Sequence, residues 1–185
     1  MKIPEQAKSV FKGEIFEIFQ WEQELFNGTT AIFERAKRAD TTEVIAVKDG
    51  KIWYAEEEQP LAGKYQTLFG GRVEPGEDPA VGAKRELLEE AGFTCQSLEL
   101  YQSTMPVSKL DWTIYLYIAR DCQLTQAQNP DAGEKISIHS CTFEEFIQKV
   151  LNQEIQSTSQ FELSIYHAVY REPAKLEEFR KKLGL

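Results

Sequence analysis

The sequence predicts an α/β fold: a layered α/β/α sandwich around a mixed sheet, with an antiparallel β arm at the N-terminus. Strand-like alternation of apolar and polar residues recurs along the chain, one well-delimited helix interrupts it, and further helix signals follow towards the C-terminus. We expect two parts, an arm over residues 1–40 and a main domain over residues 41–185.

The arm is predicted to be a hairpin. Gly13–Trp21 alternates as a half-buried strand does, Asn27-Gly28 marks a tight turn, and Thr29–Arg35 forms the returning strand. A two-stranded hairpin is not stable alone in water, and this one has aromatic side chains available for both faces. We therefore expect a homodimer with the arm at its interface, the alternative being an arm folded back onto its own domain.

The strands of the main domain are indicated by apolar runs between turn residues. Glu43–Val47 and Lys51–Ala55 flank Asp49-Gly50, a strong hairpin signal, and Gln66–Phe69 leads into Gly70-Gly71. Three more strands are expected, at Leu98–Met105, Trp112–Ala119 and Ile136–Thr142.

The helix signals are mostly capping residues. Asp78 is a natural N-cap, Pro79 suits the first helical position, and Gly92 suits a left-handed C-terminal cap. Two later helices are predicted from capping boxes, and a third from its pattern: Thr142-x-x-Glu145, Ser159-x-x-Glu162 and Leu176–Leu183.

Composition restricts the partners. The 185 residues carry a formal net charge of -9, which disfavours nucleic acid because an acidic surface repels a polyphosphate backbone. No apolar run approaches the ~18 residues that a membrane span requires, and the N-terminus lacks a secretory signal. The three cysteines show no paired spacing, which is typical of reduced thiols. We expect a cytoplasmic protein that binds a small molecule.

Three glutamates form a candidate metal-binding site. Glu86, Glu89 and Glu90 are spaced i, i+3 and i+4, so their carboxylates share one face of the predicted helix. Such crowding suits a hard cation such as Mg²⁺, for which Mn²⁺ can substitute, and the cation can orient a water against a diphosphate. An ordinary solvated helix face is the alternative, but the glycine-containing loop in register before the helix favours the metal site.

The segment Gly71–Phe93, GRVEPGEDPAVGAKRELLEEAGF, resembles the Nudix box, G-x5-E-x7-R-E-U-x-E-E-x-G-U, where U is apolar. Every fixed position matches: Gly71, Glu77, Arg85, Glu86, Leu87, Glu89, Glu90, Gly92 and Phe93. The resemblance implies a Nudix hydrolase domain over residues 41–185. It also implies that Glu86 and Glu90 are the principal metal ligands, with Glu89 and the Gly70 carbonyl completing the set.

The resemblance assigns roles to other residues of the box. Glu77 and Arg85 tie the loop to the helix, Gly92 is structural, and Arg85 and Glu89 are also candidate catalytic residues. Three residues are candidate substrate contacts, although Arg35 also fits a solvated surface: Gly71, Arg72 and Arg35.

Two regions outside the box resemble the ADP-ribose and ADP-sugar pyrophosphatase branch of the family. Phe11–Val47 is similar to that branch's N-terminal arm, and Asp131–Glu134 is similar to its acidic loop. The resemblance implies that Glu134 is the general base, with Asp131 as the second candidate. The acidic stretch Glu56–Pro60 departs from the branch, which usually has an arginine-rich strand there.

The expected activity is Mg²⁺-dependent hydrolysis of a nucleoside diphosphate sugar of the ADP-ribose kind to a nucleoside monophosphate and a sugar phosphate. One alternative is a nucleoside triphosphate pyrophosphohydrolase, which the N-terminal arm disfavours. Another is a non-catalytic ADP-ribose sensor, which the complete set of glutamates disfavours.

Overall fold

A computed structural model describes residues 2–185, and it contains short strands in three sheets together with four α-helices. The strands are Lys8–Lys12 (β1), Glu17–Glu24 (β2), Thr30–Lys37 (β3), Thr41–Lys48 (β4), Lys51–Gln59 (β5), Gly63–Thr67 (β6), Phe69–Arg72 (β7), Phe93–Thr94 (β8), Ser97–Thr104 (β9), Leu110–Asp111 (β10), Ile114–Arg120 (β11), Gln123–Leu124 (β12), Lys135–Cys141 (β13) and Ile155–Gln156 (β14). The helices are Pro79–Ala91 (α1), Phe143–Leu151 (α2), Ser159–Tyr170 (α3) and Pro173–Leu183 (α4).

The N-terminal sheet has the strand order β1-β2-β3-β10. The predicted hairpin is present as β2 and β3, with Trp21 opposite Phe33. The sequence did not indicate β1, whose side chains are all exposed, or β10, which pairs in parallel with β3. The hairpin is therefore extended on both edges, and β10 connects it to the rest of the chain.

The main sheet has the order β14-β6-β5-β4-β11-β9, with β13 also paired to β5 and β7 to β4. The central strands β4 and β11 are parallel, whereas β11 and β9 are antiparallel. The predicted mixed sheet is confirmed. The strand predicted at Gln66–Phe69 is instead two strands, β6 and β7, which pair with different neighbours.

The strands β4 and β11 alternate their buried side chains between the two faces of the main sheet. Each face is therefore apolar, and α1 covers one while α2, α3 and α4 cover the other. Val44, Phe69 and Tyr117 pack with Leu87 of α1 on one face. Ile45, Leu116 and Ile118 pack on the other face with aromatic residues of α2, α3 and α4: Phe143, Phe146, Phe161 and Phe179. This arrangement is the predicted sandwich, and it places the glutamate-bearing helix alone on its side of the sheet.

The helix ends mostly follow the predicted capping residues. The Asp78 side chain accepts a hydrogen bond from the Ala80 amide at 2.8 Å, and Gly92 ends α1 with a φ of 68°. Thr142 forms its capping box with Glu145. The prediction of Ser159 as an N-cap was wrong: Thr158 caps α3, accepting from the Phe161 amide at 3.2 Å. No helix within residues 2–185 is long and apolar enough to cross a bilayer.

Gly92 provides a test of how α1 ends. A Cβ at Gly92 would lie 2.1 Å from the Gln126 carbonyl oxygen, whereas one at Gly50, with a similar φ of 71°, would meet nothing within 4 Å. We expect Gly50→Ala to lower the free energy of unfolding by about 1 kcal/mol, from backbone strain. Gly92→Ala should lower it by roughly 3 kcal/mol because a steric clash is added. Urea denaturation of both variants measures the difference, and equal losses would show that the contact with Gln126 is unimportant.

Candidate active site

Two glycines allow β7 to approach the helix and the central strand. A Cβ at Gly70, where φ is 151°, would lie 1.9 Å from the Thr42 carbonyl oxygen. A Cβ at Gly71 would lie 2.5 Å from Glu86 Oε1. Only glycine fits at position 70, where the obstacle is backbone, whereas a side chain at position 71 would displace the Glu86 carboxylate from its place against β7.

Glu90 is the most deeply placed of the three glutamates. Its residue is 6% exposed, and its Oε2 accepts a hydrogen bond from the Gly70 amide at 2.9 Å. Burial raises the pKa of this carboxyl well above its usual range, and the nearby charges of Glu86, Glu57 and Glu134 add to the effect. Glu90 is therefore the carboxylate that most needs a cation when it is ionised.

Glu86 and Glu89 lie progressively closer to solvent. The side chain of Glu86 is 14% exposed and that of Glu89 is 40% exposed. Burial raises the pKa of Glu86, although the Arg85 guanidinium opposes the shift. The helix face predicted from the spacing is present, with its three carboxylates graded from the interior to the rim.

Arg85 joins the loop, the strand and the helix. Its Nε and Nη2 donate to the two oxygens of Glu77, both at 3.1 Å, and Nη2 also donates to the Arg72 carbonyl at 2.9 Å. Nη1 contacts Glu86 Oε1 at 2.8 Å and Glu89 Oε2 at 3.0 Å. One guanidinium thus fixes the loop and also faces two of the candidate metal ligands.

Glu77 completes this connection from the loop side. Its Oε2 accepts from the Glu74 amide at 2.9 Å, and the hydrogen bond from Arg85 lowers the pKa of the Glu77 carboxyl. A Cβ at Gly82 would lie 2.9 Å from Glu77 Oε2, so the carboxylate lies close against the first turns of α1.

Glu134 lies beside a buried polar group that the sequence interpretation missed. Glu57 of β5 is 7% exposed, and it lies opposite Tyr65 in the β5–β6 ladder. Gln59 Nε2 contacts Glu57 and also lies 3.5 Å from Glu134 Oε1. The signal was available, because strand alternation places Glu57 on the same sheet face as Trp53 and Ala55.

The pKa of Glu134 is raised, first by burial and then by the charges of Glu57, Asp131 and Glu86. Glu134 is half-buried at the start of β13, while Asp131 is exposed in the preceding turn, where its carbonyl accepts from the Glu134 amide at 2.9 Å. The charges of Glu134 and Asp131 both reach the α1 carboxylates, and Glu134 is the less exposed of the two residues.

The two candidate arginine contacts have different positions. The Arg72 side chain is exposed, with Nη2 lying 3.3 Å from Glu74 Oε1. Arg35 is buried in β3 and lines a cavity of about 570 Å³ on the N-terminal sheet. None of the residues that line this cavity belongs to α1: Ile18, Ile32, Phe33, Glu34, Arg35, Ala36 and Lys109.

The donors of the site fit a hard divalent cation. Glu86 and Glu90 offer carboxylate oxygens next to Gly71 and Gly70, and oxygen is the donor that Mg²⁺ prefers. Burial of several mutually repelling carboxylates is costly unless a cation shares the site. Among residues 2–185, no three Asp, Glu, His or Cys side chains are arranged so that they could hold a metal ion between them, and Arg85 Nη1 instead contacts both Glu86 and Glu89.

Arg85→Ala tests the tie between the loop and the helix. We expect it to lower the free energy of unfolding by about 2 kcal/mol, because the Glu77 carboxylate and the Arg72 carbonyl lose charge-assisted hydrogen bonds. Lys84→Ala, at the adjacent exposed position, should change it by less than about 0.5 kcal/mol. Thermal and urea denaturation compare the pair, and equal stabilities would mean that the tie does not contribute.

Comparison with known proteins identifies the family to which the chain belongs. The profile described as the NUDIX domain matches residues 37–161, more than half of the chain. A methanol dehydrogenase activator from Bacillus methanolicus is 29% identical over 154 residues, which is 81% of this chain and 83% of that protein. An ADP-ribose pyrophosphatase from Bacillus subtilis (strain 168) is 28% identical over 153 residues, covering 80% and 82%.

The fold is also that of a solved structure. A crystal structure of an ADP compounds hydrolase superposes with a TM-score of 0.68 at 17% identity, covering 91% of this chain and 95% of that one. The similarity to the Bacillus subtilis protein confirms the resemblance to the ADP-ribose pyrophosphatase branch that the arm and the acidic loop indicated. The chain is a member of the Nudix hydrolase family.

Proposed function

We propose that this protein is a cytoplasmic, Mg²⁺-dependent enzyme that hydrolyses the diphosphate linkage of an ADP-ribose-like nucleoside diphosphate sugar to a nucleoside monophosphate and a sugar phosphate. The observation that carries the proposal is the cluster of carboxylates around the Gly70-Gly71 strand, in which burial raises the pKa of Glu90, Glu86 and Glu134. Such a cluster, open at Glu89, suits a cation and a phosphorylated ligand.

The metal would be held by Glu86 and Glu90, with Glu89 at the rim and the Gly70 carbonyl as a further donor. When bound, Mg²⁺, or Mn²⁺ in its place, supplies charge stabilisation to the phosphate oxygens. Arg85 keeps the α1 carboxylates and the loop in register. Gly71 leaves room for a phosphate beside the backbone.

Glu134 would act as the general base. A carboxylate whose pKa is raised holds a proton more strongly, so it removes one from water more readily. The water oxygen then bonds to phosphorus, and the bond from phosphorus to the bridging oxygen breaks. The bridging oxygen leaves with the other phosphate. Gln59, at 3.5 Å from Glu134 Oε1, helps to hold the base in position.

The substrate class is supported by the relatives and by the arm. The Bacillus subtilis relative is named an ADP-ribose pyrophosphatase and aligns with 80% of the chain. We propose that residues 1–40 form a substrate-binding and dimerisation arm and residues 41–185 the Nudix hydrolase domain. Arg35 and Arg72 would contact the substrate, and the cavity beside Arg35 offers space for part of it.

The N-terminal sheet and its loops expose apolar side chains on both faces, and a second copy of the chain would cover part of this apolar surface. Six large apolar side chains of this region are exposed: Val10, Phe11, Ile15, Phe16, Ile32 and Phe33. An apolar surface of this extent favours association. We propose a homodimer with this surface at its interface.

The proposed substrate predicts an order of reactivity. ADP-ribose should be hydrolysed with a higher kcat/KM than dATP or dGTP in the presence of Mg²⁺, measured as phosphate released after phosphatase treatment. A preference for the triphosphates would assign the enzyme to triphosphate hydrolysis instead. Binding of ADP-ribose without release of phosphate would indicate a sensor.

The proposed roles of the glutamates predict different responses to substitution. Glu86→Gln and Glu90→Gln should each lower kcat by about 100-fold or more because a metal ligand is lost, and Mn²⁺ affinity should fall. Their metal-free melting temperatures should stay unchanged or rise, since one crowded carboxylate is removed. Glu134→Gln, the matched substitution, should lower kcat while Mn²⁺ affinity is retained. Wild-type activity in the first two variants would refute the metal site.

The proposed dimer predicts the mass in solution. Light scattering should give twice the chain mass, and deletion of residues 1–35 should yield a monomer with weakened substrate binding. As a point test, Ile32→Glu on the exposed face of β3 should shift the equilibrium towards monomer without unfolding the protein. A monomer mass for the full chain at micromolar concentration would mean that the arm packs on its own domain.

A further inference from the structure

Two of the three cysteines occupy facing positions between two antiparallel ladders. The β9–β11 ladder pairs Ser97 with Arg120, and the β8–β12 ladder pairs Thr94 with Gln123. Thr94 is three residues before Ser97 and Gln123 is three after Arg120, so both ladders share one register. Continuation of this register between the two ladders, across Asp121 with its φ of 52°, places position 95 opposite position 122.

Packing and electrostatics also place Cys95 and Cys122 together. Cys122 belongs to the core between the main sheet and α1, and Cys95 packs against that same core. The charge of Cys95 contributes to the raised pKa of the Cys122 thiol, second only to burial. Cys141 lies in the core on the opposite face of the sheet, so it provides an internal control.

The facing positions suit a covalent bond. Residues opposite one another on antiparallel strands have Cα atoms about 4.5–5.5 Å apart, and a disulfide requires roughly 4.4–6.8 Å. Both thiols are free in this structure. We propose that Cys95 and Cys122 are a redox site in which a peroxide converts the two thiols into an intramolecular disulfide that thiols can reduce again.

The exposure of the two sulfurs sets the order of reaction. Cys95 is half-buried, and burial raises the pKa of its thiol although the Lys84 ammonium on α1 opposes the shift, whereas Cys122 is only 4% exposed and therefore less accessible to peroxide. The Cys95 thiolate attacks one oxygen of hydrogen peroxide, the O–O bond breaks, and a sulfenic acid and, after protonation of the leaving hydroxide, water result. The Cys122 sulfur then attacks the Cys95 sulfur, and the sulfenic hydroxyl leaves as water with the Cys122 proton. Two thiols are oxidised and one peroxide is reduced to two waters.

The two cysteines lie just before the segment of residues 125–134, which is hydrogen-bonded to the C-terminal end of α1. After β12, the Thr125 amide donates to the Gly92 carbonyl at 2.9 Å, and the Asn129 amide donates to the Glu89 carbonyl at 2.7 Å. This segment continues to Glu134. The disulfide would therefore join the strand leaving α1 to the chain that leads to the proposed base, while its formation does not depend on the proposed hydrolytic activity.

Peroxide treatment of the reduced wild-type protein tests the proposal directly. After treatment and removal of peroxide, titration in denaturant should detect one thiol in place of the three that the chain contains. Digestion without reduction should yield a peptide that joins Cys95 to Cys122, and dithiothreitol should restore all three thiols. The Cys141→Ala variant should form the same linked peptide. Linkage to Cys141, linkage between chains, or retention of all three thiols would overturn the proposal.

Single variants test the order of reaction, with circular dichroism used to confirm that each is folded. In Cys122→Ser, Cys95 should accumulate as a sulfenic acid that dimedone traps. In Cys95→Ser, Cys122 should remain unmodified over the same period because its sulfur is buried. Faster labelling of Cys122 than of Cys95 would contradict the assigned roles. The wild-type linkage still decides the pairing if either variant does not fold.

Discussion

The hydrogen bonds of Arg85 are the interaction on which the rest of the site depends. One planar guanidinium binds both oxygens of Glu77, the Arg72 carbonyl, and the carboxylates of Glu86 and Glu89. Three pieces of chain are thereby joined at one point: the loop, the end of β7 and the exposed side of α1. A lysine could not replace this arrangement, because a single ammonium lacks the fixed fork of donors.

The packing that stabilises α1 also buries a carboxylate that the candidate metal site needs in its ionised form. The apolar face of α1 packs Leu87 and Ala83 against the central strands, and the same packing brings Glu90 into a desolvated position. Burial of that carboxylate stabilises nothing by itself and raises its pKa. The Gly70 amide compensates only one of its oxygens, so the fold creates a demand for positive charge beside the glycine pair.

The acidic stretch on β5 contributes negative charge to the candidate active site in the folded protein. From the sequence alone, Glu56–Pro60 differs from the ADP-ribose pyrophosphatase branch only in lacking the arginines expected at this position. In the fold, Glu57 is buried next to Tyr65, and its charge reaches Glu90 and Glu134. This departure from the family pattern increases the negative charge around the site, where an arginine-rich strand would reduce it.

The sequence by itself determined the local features. The caps of α1, the shared face of Glu86, Glu89 and Glu90, and the mixed α/β class follow from spacings of a few residues, because helix and strand periodicity are properties of the backbone. Only the tertiary structure decided which groups meet across long separations. The pairing of β10 with β3, the contact of Gln59 with Glu134, and the facing positions of Cys95 and Cys122 depend on the choice of strand partners. That choice is made by packing of the whole sheet and leaves no mark within any one segment.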